Sequence, residues 1–192
     1  PGTFHRVHQA WYFDRLLERD KRWAITGVSL KTSDIRDALV PQDGLYVLAD
    51  LEREKSFSVI GAITDLLVAS QQRERVLSLL AAPETHWVSA TVTEKGYCLD
   101  GRGELDVRHP DIAHDLASPR EPQSLIGYIV EGLRRRRAAG LRPPAVVSCD
   151  DVDAWNAKFA AAKRDIEVTE VLLELDRSHE LFMHAAAQVP ED

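Results

Sequence analysis

The sequence has 192 residues and a net charge of −7, and it is 44% hydrophobic and 29% charged. That length and composition are those of an ordinary globular protein with a substantial core, while the acidic balance argues against general nucleic-acid binding. No apolar run approaches the ~20 residues needed to cross a bilayer, so we expect no membrane partner. Cys98 and Cys149 lie far apart without a C-x-x-C spacing. This predicts no disulfide framework and favours a cytoplasmic location.

In the first half of the chain, the pattern of apolar residues predicts helices and strands in alternation. Spacings of three and four residues predict helices, and short β-favoured runs bounded by charges or turns predict strands. The predicted elements are a helix over 5–20, a strand over 22–30, a short helix over 34–40, strands over 44–52 and 56–63, and a helix over 71–82. Ser33 is placed to cap the short helix and Pro41 to stop it.

The second half continues the alternation and then changes character. The predicted elements are a strand over 85–92, a short helix over 109–117, a helix over 124–140 that begins at Ser124 and closes at Gly140, and a strand over 143–149. Alternation up to about residue 150 predicts an α/β domain with a mainly parallel sheet and flanking helices. From residue 151 the pattern is helical throughout. We therefore divide the chain into a domain over 1–150 and a helical tail over 151–192.

Polar clusters fall at the ends of predicted elements, where α/β sheets bind their ligands. The opening "PGTFHR" puts Gly2 just before a helix, where backbone N–H groups can approach a phosphate, with Arg6 close by. "VTEKGYC" follows a predicted strand, and Thr93, Glu94 or Lys95 could hydrogen-bond a cofactor or relay a proton. Taken singly, each stretch is also compatible with an ordinary turn.

A pair of carboxylates and a run of arginines complete the candidate residues. Asp150 and Asp151 follow the last predicted strand, where they can bind a cation, act as acid and base, or cap the next helix. The spacing of His, Cys and acidic residues supports no metal site. Arg134 to Arg137 end a predicted helix, where positive charge suits the helix dipole, and we expect them to form a solvated surface.

Considered together, several stretches resemble the long-chain mannitol dehydrogenase family, which includes mannitol, arabinitol and altronate oxidoreductases and fructuronate reductases. They are, in chain order, "GTFHRVHQAWYFDRLL", "RDALVPQDGLYVL", "VTEKGYCLD", "HPDIAHDL" and "RRRRAAGLRPPAVVSCD". The resemblance covers residues 2 to about 150. It implies a Rossmann-like domain that binds NAD or NADP. It also implies reversible hydride transfer between the nicotinamide and a polyol or hexuronate.

The family's motifs imply which residues bind the cofactor. Its G-x-G-x-F-x-R-x-H-Q opening lies along the pyrophosphate, and the later positions of that motif match this chain as far as His8 and Gln9. Its T-E-K-G-Y stretch lies near the nicotinamide ribose, and its S-C-D-N stretch begins at the end of the last strand. The cofactor-binding residues implied by the resemblance are Gly2, Phe4, Arg6, Thr93, Glu94, Lys95 and Asp150.

The sequence departs from the family pattern in three ways. The family's first strand and first glycine are absent, which leaves two inner strand edges unpaired unless an upstream segment or another chain fills the slot. Asp151 stands where the family has an Asn that helps to hold the substrate oxygen. The family's K-x-x-x-x-N-x-x-H motif, which carries the acid/base lysine, is not found. Lys158 and Lys163 lie outside such a motif, so no catalytic residue is assigned.

Two functions remain open from the sequence. The first is an NAD(P)-dependent polyol or hexuronate oxidoreductase, or its cofactor-binding portion. The second is a non-catalytic derivative that acts as a binding or assembly module, forming a homo-oligomer through an apolar stripe over 168–186 of the tail. The choice between NAD and NADP is also open. Lys31 occupies the position of the acid that would bind the ribose 2′-hydroxyl, yet Asp34 lies close by.

Overall fold

A computed structural model of the chain describes residues 1–50, 56–91 and 94–149, with the side chains of residues 50, 94 and 95 left out. The helices are α1 (Thr3–Val7), α2 (Gln9–Leu17), α3 (Asp34–Leu39), α4 (Arg73–Ala81), α5 (Pro110–Ala117) and α6 (Leu125–Ala138). The strands are β1 (Ile25–Ser29), β2 (Tyr46–Asp50), β3 (Ser56–Ile60), β4 (Ile63–Val68), β5 (Trp87–Ala90) and β6 (Ala145–Ser148). Short 3₁₀ turns cover Val40–Gln42 and Glu94–Tyr97. The predicted helical tail over 151–192 lies outside the described residues.

The parallel pairing predicted for an α/β domain is confirmed. β1 pairs in parallel with β4, and β5 pairs in parallel with β6. Within the described ranges, these two pairs are not hydrogen-bonded to each other, so β1 and β5 each have one edge with no neighbouring strand.

The region between residues 44 and 68 differs from the prediction. The strand expected over 56–63 is β3, which ends at Ile60. After Gly61 and Ala62 a further strand that was not predicted, β4, begins at Ile63. β2 and β3 form an antiparallel hairpin, with Val47 opposite Val59. The short connection explains the direction, because a parallel crossover needs a dozen or more residues. Gly61 donates its backbone N–H to Asp14 Oδ1 of α2 at 2.7 Å, which fixes the point where the chain leaves the hairpin.

β4 lies at the centre of the packing and is covered on both faces. Leu66 belongs to one apolar cluster, together with residues of α2, α3 and the inner face of the hairpin. Leu67 belongs to a second cluster, which packs against α4 and α6. Because neighbouring residues of a strand point to opposite faces, this places helices on both sides of the β1–β4 pair. The hairpin's other face is exposed: Val47, Phe57 and Val59 have 63%, 70% and 63% of their surface accessible.

The helix ends confirm part of what the sequence predicts. The Ser124 hydroxyl accepts the N–H of Gly127 and begins α6, and Gly140 follows its end with a φ of +68°. Ser33 precedes α3 as predicted, but its hydroxyl donates to Asp37 Oδ2 at 2.6 Å and does not cap the helix. The helix predicted over 5–20 is divided at His8 into α1 and α2. None of the described helices is long and apolar enough to cross a membrane.

Only part of the arginine run is the solvated surface that the sequence predicts, because Arg134 and Arg137 are exposed whereas Arg135 is half-buried and Arg136 is buried. Arg136 is only 5% exposed, and its guanidinium donates to the backbone carbonyls of Leu80, Ala82 and Arg142. Arg134 and Arg135 bind the buried carboxylate of Glu131, and Arg135 also bridges to Glu74 of α4. The run therefore ties α6 to α4 and to the segment before β6.

Candidate functional site

The opening turn lies against the middle of β1. A Cβ built on Gly27 would meet the Pro1 ring at 2.8 Å and the Leu66 side chain at 2.9 Å, so only glycine lets the chain's first residue pack there. The Arg6 guanidinium donates to the Pro1 carbonyl at 2.8 Å, which closes the turn from the other side. The turn and β1 therefore form one packed unit.

Gly2 is open to its surroundings. Its φ of −70° and ψ of −179° are values that any residue adopts, and a Cβ built on it would meet no other part of the described structure within 4 Å. Neither backbone conformation nor packing therefore requires a glycine at this position. A side chain at this position would fill the space directly over the backbone at the start of α1. Room of that kind suits a ligand that approaches the main chain closely, as a pyrophosphate does in a glycine turn.

Residues of α1 build the wall behind this space. Phe4 stacks on His8, with ring centroids 4.6 Å apart. The Tyr46 hydroxyl of β2 donates to the Arg6 carbonyl at 2.6 Å, and burial raises the pKa of Tyr46 to about 12. His5 is 8% exposed, and burial lowers its pKa to about 4, so its ring is neutral at pH 7. Among the described residues, Arg6 is thus the cation that α1 supplies next to the turn.

Gln9 connects the opening helices to the other parallel pair. Its side-chain oxygen accepts the Ser89 hydroxyl of β5 at 3.0 Å, and its amide nitrogen donates to Cys149 Sγ, just after β6, at 3.0 Å. Gln9 is half-buried, and both contacts join residues at least 80 positions apart in the chain. This side chain therefore ties α2 to the β5–β6 pair.

The turn at Glu94–Tyr97 reaches the same end of the sheet. The Tyr97 hydroxyl forms a short hydrogen bond with the Ser148 hydroxyl, at the last residue of β6. Ser148 precedes Cys149, so Gln9 and Tyr97 contact neighbouring residues where β6 ends. The opening helices and the 94–97 turn therefore meet at the carboxyl end of the β5–β6 pair. Among open α/β sheets this is the end where ligands bind.

Three of the seven predicted site residues are described in full. Gly2, Phe4 and Arg6 lie together on the opening turn and α1. Glu94 and Lys95 lie on the 94–97 turn, where their backbone alone is described, and Thr93 and Asp150 lie outside the described residues. The contacts of Ser89, Ser148 and Tyr46 were not predicted, because isolated hydroxyl residues carry no recognisable spacing.

A second polar contact lies beyond the carboxyl end of β1. Lys31 Nζ is 2.7 Å from Asp111 Oδ2 of α5, and Lys31 is the more exposed of the two. Sequence analysis singled out Lys31 but not its partner. The two residues are 80 positions apart in the chain, so no local signal would pair them.

Parallel strands covered by helices on both faces, with an open glycine turn before the first helix, define a Rossmann-type dinucleotide-binding domain. The comparison with known families makes this more specific. The family model described as the mannitol dehydrogenase Rossmann domain matches residues 1–176, and the chain belongs to that family.

Individual relatives agree with this assignment. The chain is 46% identical over 157 residues to a mannitol 2-dehydrogenase from Phaeosphaeria nodorum, covering 79% of this chain and 28% of the relative. It is 44% identical over 158 residues to a D-mannonate oxidoreductase from Escherichia coli, covering 79% and 32%. A solved structure of Pseudomonas fluorescens mannitol 2-dehydrogenase, a ternary complex with NAD and D-mannitol, matches with a TM-score of 0.74 and 42% identity. That match covers 79% of this chain and 32% of the other, so the chain spans about a third of its relatives' length.

Proposed function

We propose that this chain is the dinucleotide-binding part of an NAD-dependent oxidoreductase that acts on a polyol or a hexuronate. The observation that supports this most directly is the meeting of two family motifs at one end of the sheet. Gln9, the last residue of the opening motif, contacts Ser89 and Cys149 there, and Tyr97 of the second motif contacts the adjacent Ser148. A dinucleotide is the ligand that needs both a phosphate turn and a second turn beyond the strand ends.

The roles of individual residues follow from their positions. Gly2 leaves its backbone open to a pyrophosphate, and Phe4 and Arg6 form the wall and the cation beside it. Arg6 has five N–H donors, of which one donates to Pro1, and the guanidinium suits phosphate recognition. Thr93, Glu94, Lys95 and Asp150 belong to the proposal through the family motifs. When bound, the nicotinamide supplies the hydride chemistry, and this chain's residues bind and orient it.

The cofactor and the substrate class come from the relatives. NAD is favoured because the similar Pseudomonas fluorescens structure holds NAD together with D-mannitol. The similarity to mannitol 2-dehydrogenases favours a polyol as the substrate. The similarity to a D-mannonate oxidoreductase favours a hexuronate as substrate or product. The alternative, a non-catalytic assembly module, is less favoured because the family model runs continuously from residue 1 to residue 176. We retain the division at residue 150 as part of the proposal.

The proposal is tested by titrating the chain with NADH and following the fluorescence of Trp11, Trp23 and Trp87. We expect saturable binding in the micromolar range. Gly2→Val fills the open space over the backbone, and its Cβ would meet no other described atom within 4 Å. It should therefore weaken NADH binding by about tenfold or more while leaving the thermal midpoint of unfolding nearly unchanged.

Gly101→Val is the matched control, because a Cβ on Gly101 also meets nothing within 4 Å and its φ is not positive. It should change neither NADH affinity nor stability. Absence of any NADH binding by the unmodified chain would contradict the proposed function. Equal losses of affinity in both glycine variants would contradict the role of Gly2.

A further inference from the structure

The cations that follow β1 are both engaged by carboxylates. Lys31 binds Asp111 at 2.7 Å, and Arg36 binds its neighbour Asp37 at 2.8 Å. Arg36 also donates to the side chain of Gln71 at 2.6 Å. Each of these pairs is electrically neutral as a unit.

The same corner carries a further acid. Asp34 is exposed and begins α3, three residues after Lys31. With the two ion pairs neutral, Asp34 leaves this corner with a net negative charge. The sequence alone leaves the choice of cofactor open, because Lys31 follows the predicted strand where an acid is usual and Asp34 lies close by.

This corner is where the adenosine ribose of a dinucleotide is recognised, given the proposed function. In Rossmann domains, a carboxylate after the strand that follows the glycine turn binds the ribose 2′-hydroxyl, whereas a cation there accommodates a 2′-phosphate. In this chain that strand is β1. Pro1 packs on Gly27 at its middle, and Lys31 follows four residues later, about 13 Å along an extended chain.

We propose that Asp111, by holding Lys31, makes the site select the dinucleotide with a free ribose 2′-hydroxyl over the 2′-phosphorylated form. A 2′-phosphate needs a cation, and both cations that the described residues place after β1 are already paired, Arg36 with Asp37 and Lys31 with Asp111 of α5. If Lys31 turned to a phosphate, it would leave behind a carboxylate whose side chain is only 18% exposed. The net negative charge of the corner adds repulsion to that cost. Asp111 is therefore a specificity-determining residue that need not touch the cofactor.

The test compares the affinities of the full chain for NADH and NADPH, measured by fluorescence titration and calorimetry. The unmodified chain should bind NADH more tightly. Asp111→Asn removes the competing charge and should shift the ratio of the two dissociation constants toward NADPH by about tenfold. The pair 5′-AMP and 2′,5′-ADP should show the same shift, because these ligands contain the adenosine end alone.

Two further variants make the test specific. Adding Lys31→Gln to Asp111→Asn should cancel the shift, since the released ammonium is the group that binds the phosphate. Glu84→Gln is the control. Glu84 is exposed and lies before β5, at the opposite end of the strands. Its substitution removes one negative charge there and should leave the ratio of the two dissociation constants unchanged.

The outcomes separate the two proposals. If NADH and NADPH bind but Asp111→Asn leaves their ratio unchanged, this inference is wrong and the proposed function stands. The inference is also wrong if the ratio still shifts toward NADPH when Lys31→Gln is added to Asp111→Asn. It is equally wrong if Glu84→Gln alone produces the same shift. If no variant binds either dinucleotide, the proposed function fails, and this inference fails with it.

Discussion

The carboxylate of Glu131 should make a large and pH-dependent contribution to stability. Glu131 lies in α6 with 1% of its surface exposed, and it accepts hydrogen bonds from Arg134 at 2.6 and 2.7 Å and from Arg135 at 2.8 Å. The hydrogen bonds from Arg134 lower the pKa of Glu131 most, and the hydrogen bond from Arg135 lowers it further. Together they bring this pKa from 4.5 to about 2. Glu131→Gln keeps the shape of the side chain and removes its charge.

The size of the effect follows from that pKa. A fall from 4.5 to about 2 corresponds to at most about 3 kcal/mol of stabilisation when the carboxylate is ionised. Arg134 is 49% exposed and returns to water when the carboxylate is lost, so we expect a net destabilisation of about 1–3 kcal/mol at pH 7. Because the folded-state pKa is the lower one, the contribution is complete above pH 4.5 and is lost as the pH falls toward 2.

Urea unfolding of the two proteins across pH 7 to 3.5 measures this contribution directly. The difference in free energy of unfolding should narrow as the pH falls below Glu131's ordinary value of 4.5. Glu74→Gln is the control, because Glu74 also binds Arg135, at 2.9 and 3.1 Å, but its side chain is 70% exposed. An exposed pair of this kind contributes about 0.5 kcal/mol. A Glu131→Gln effect no larger than that of Glu74→Gln, or one that does not change with pH, would refute the reasoning.

Two further predictions concern the packing of the hairpin and its neighbours. Ile60→Ala should lower the free energy of unfolding by about 2–5 kcal/mol because Ile60 is fully buried. Val59→Ala, on the opposite face of the hairpin, should change it by less than about 0.5 kcal/mol. Similar losses of stability in the two variants would contradict the observed register of β2 and β3. Gly44→Ala should be more destabilising than Gly140→Ala in chemical denaturation. Both glycines have positive φ, which costs an alanine about 1 kcal/mol, but only at Gly44 would the Cβ come within 2.2 Å of the Ile63 carbonyl oxygen. Equal effects would show that this clash is relieved.

The class of fold was predictable because it depends on repeated local patterns. Periodicity identified the helices around α4, α5 and α6, and alternation of elements indicated a parallel sheet. β4 was not recognised as a separate strand because it is buried on both faces. Its run "DLLVAS" therefore shows no alternation of apolar and polar residues. The direction of β3 was also missed, because direction is set by the length of the connection and not by the strand's own residues.

The site was predictable where a motif is contiguous and not where contacts cross the chain. "GTFHR" and "TEKGY" are read directly from the sequence. The contacts of Gln9 with Ser89 and Cys149 depend on how α2 lies across the sheet, which no local pattern specifies. Part of the arginine run was misinterpreted for the same reason. Its buried partner Glu131 lies in the same helix, but the carbonyls that Arg136 binds come from α4 and the segment before β6.

The two ends of the proposed cofactor site are held by different parts of the molecule. At the adenosine end, Pro1 packs on Gly27 and Asp111 forms an ion pair with Lys31. At the other end, the Tyr97 hydroxyl is hydrogen-bonded to the Ser148 hydroxyl. Between them, the β1–β4 and β5–β6 pairs share no strand hydrogen bonds among the residues described, and the half-buried Gln9 is one polar link from α2 to the β5–β6 pair. Cysteine sulfur is a weak acceptor, so the bond from Ser89 is the stronger of its two contacts. Changes at Asp111 or Lys31 should therefore alter which dinucleotide is selected, because this pair lies at the adenosine end of the proposed site.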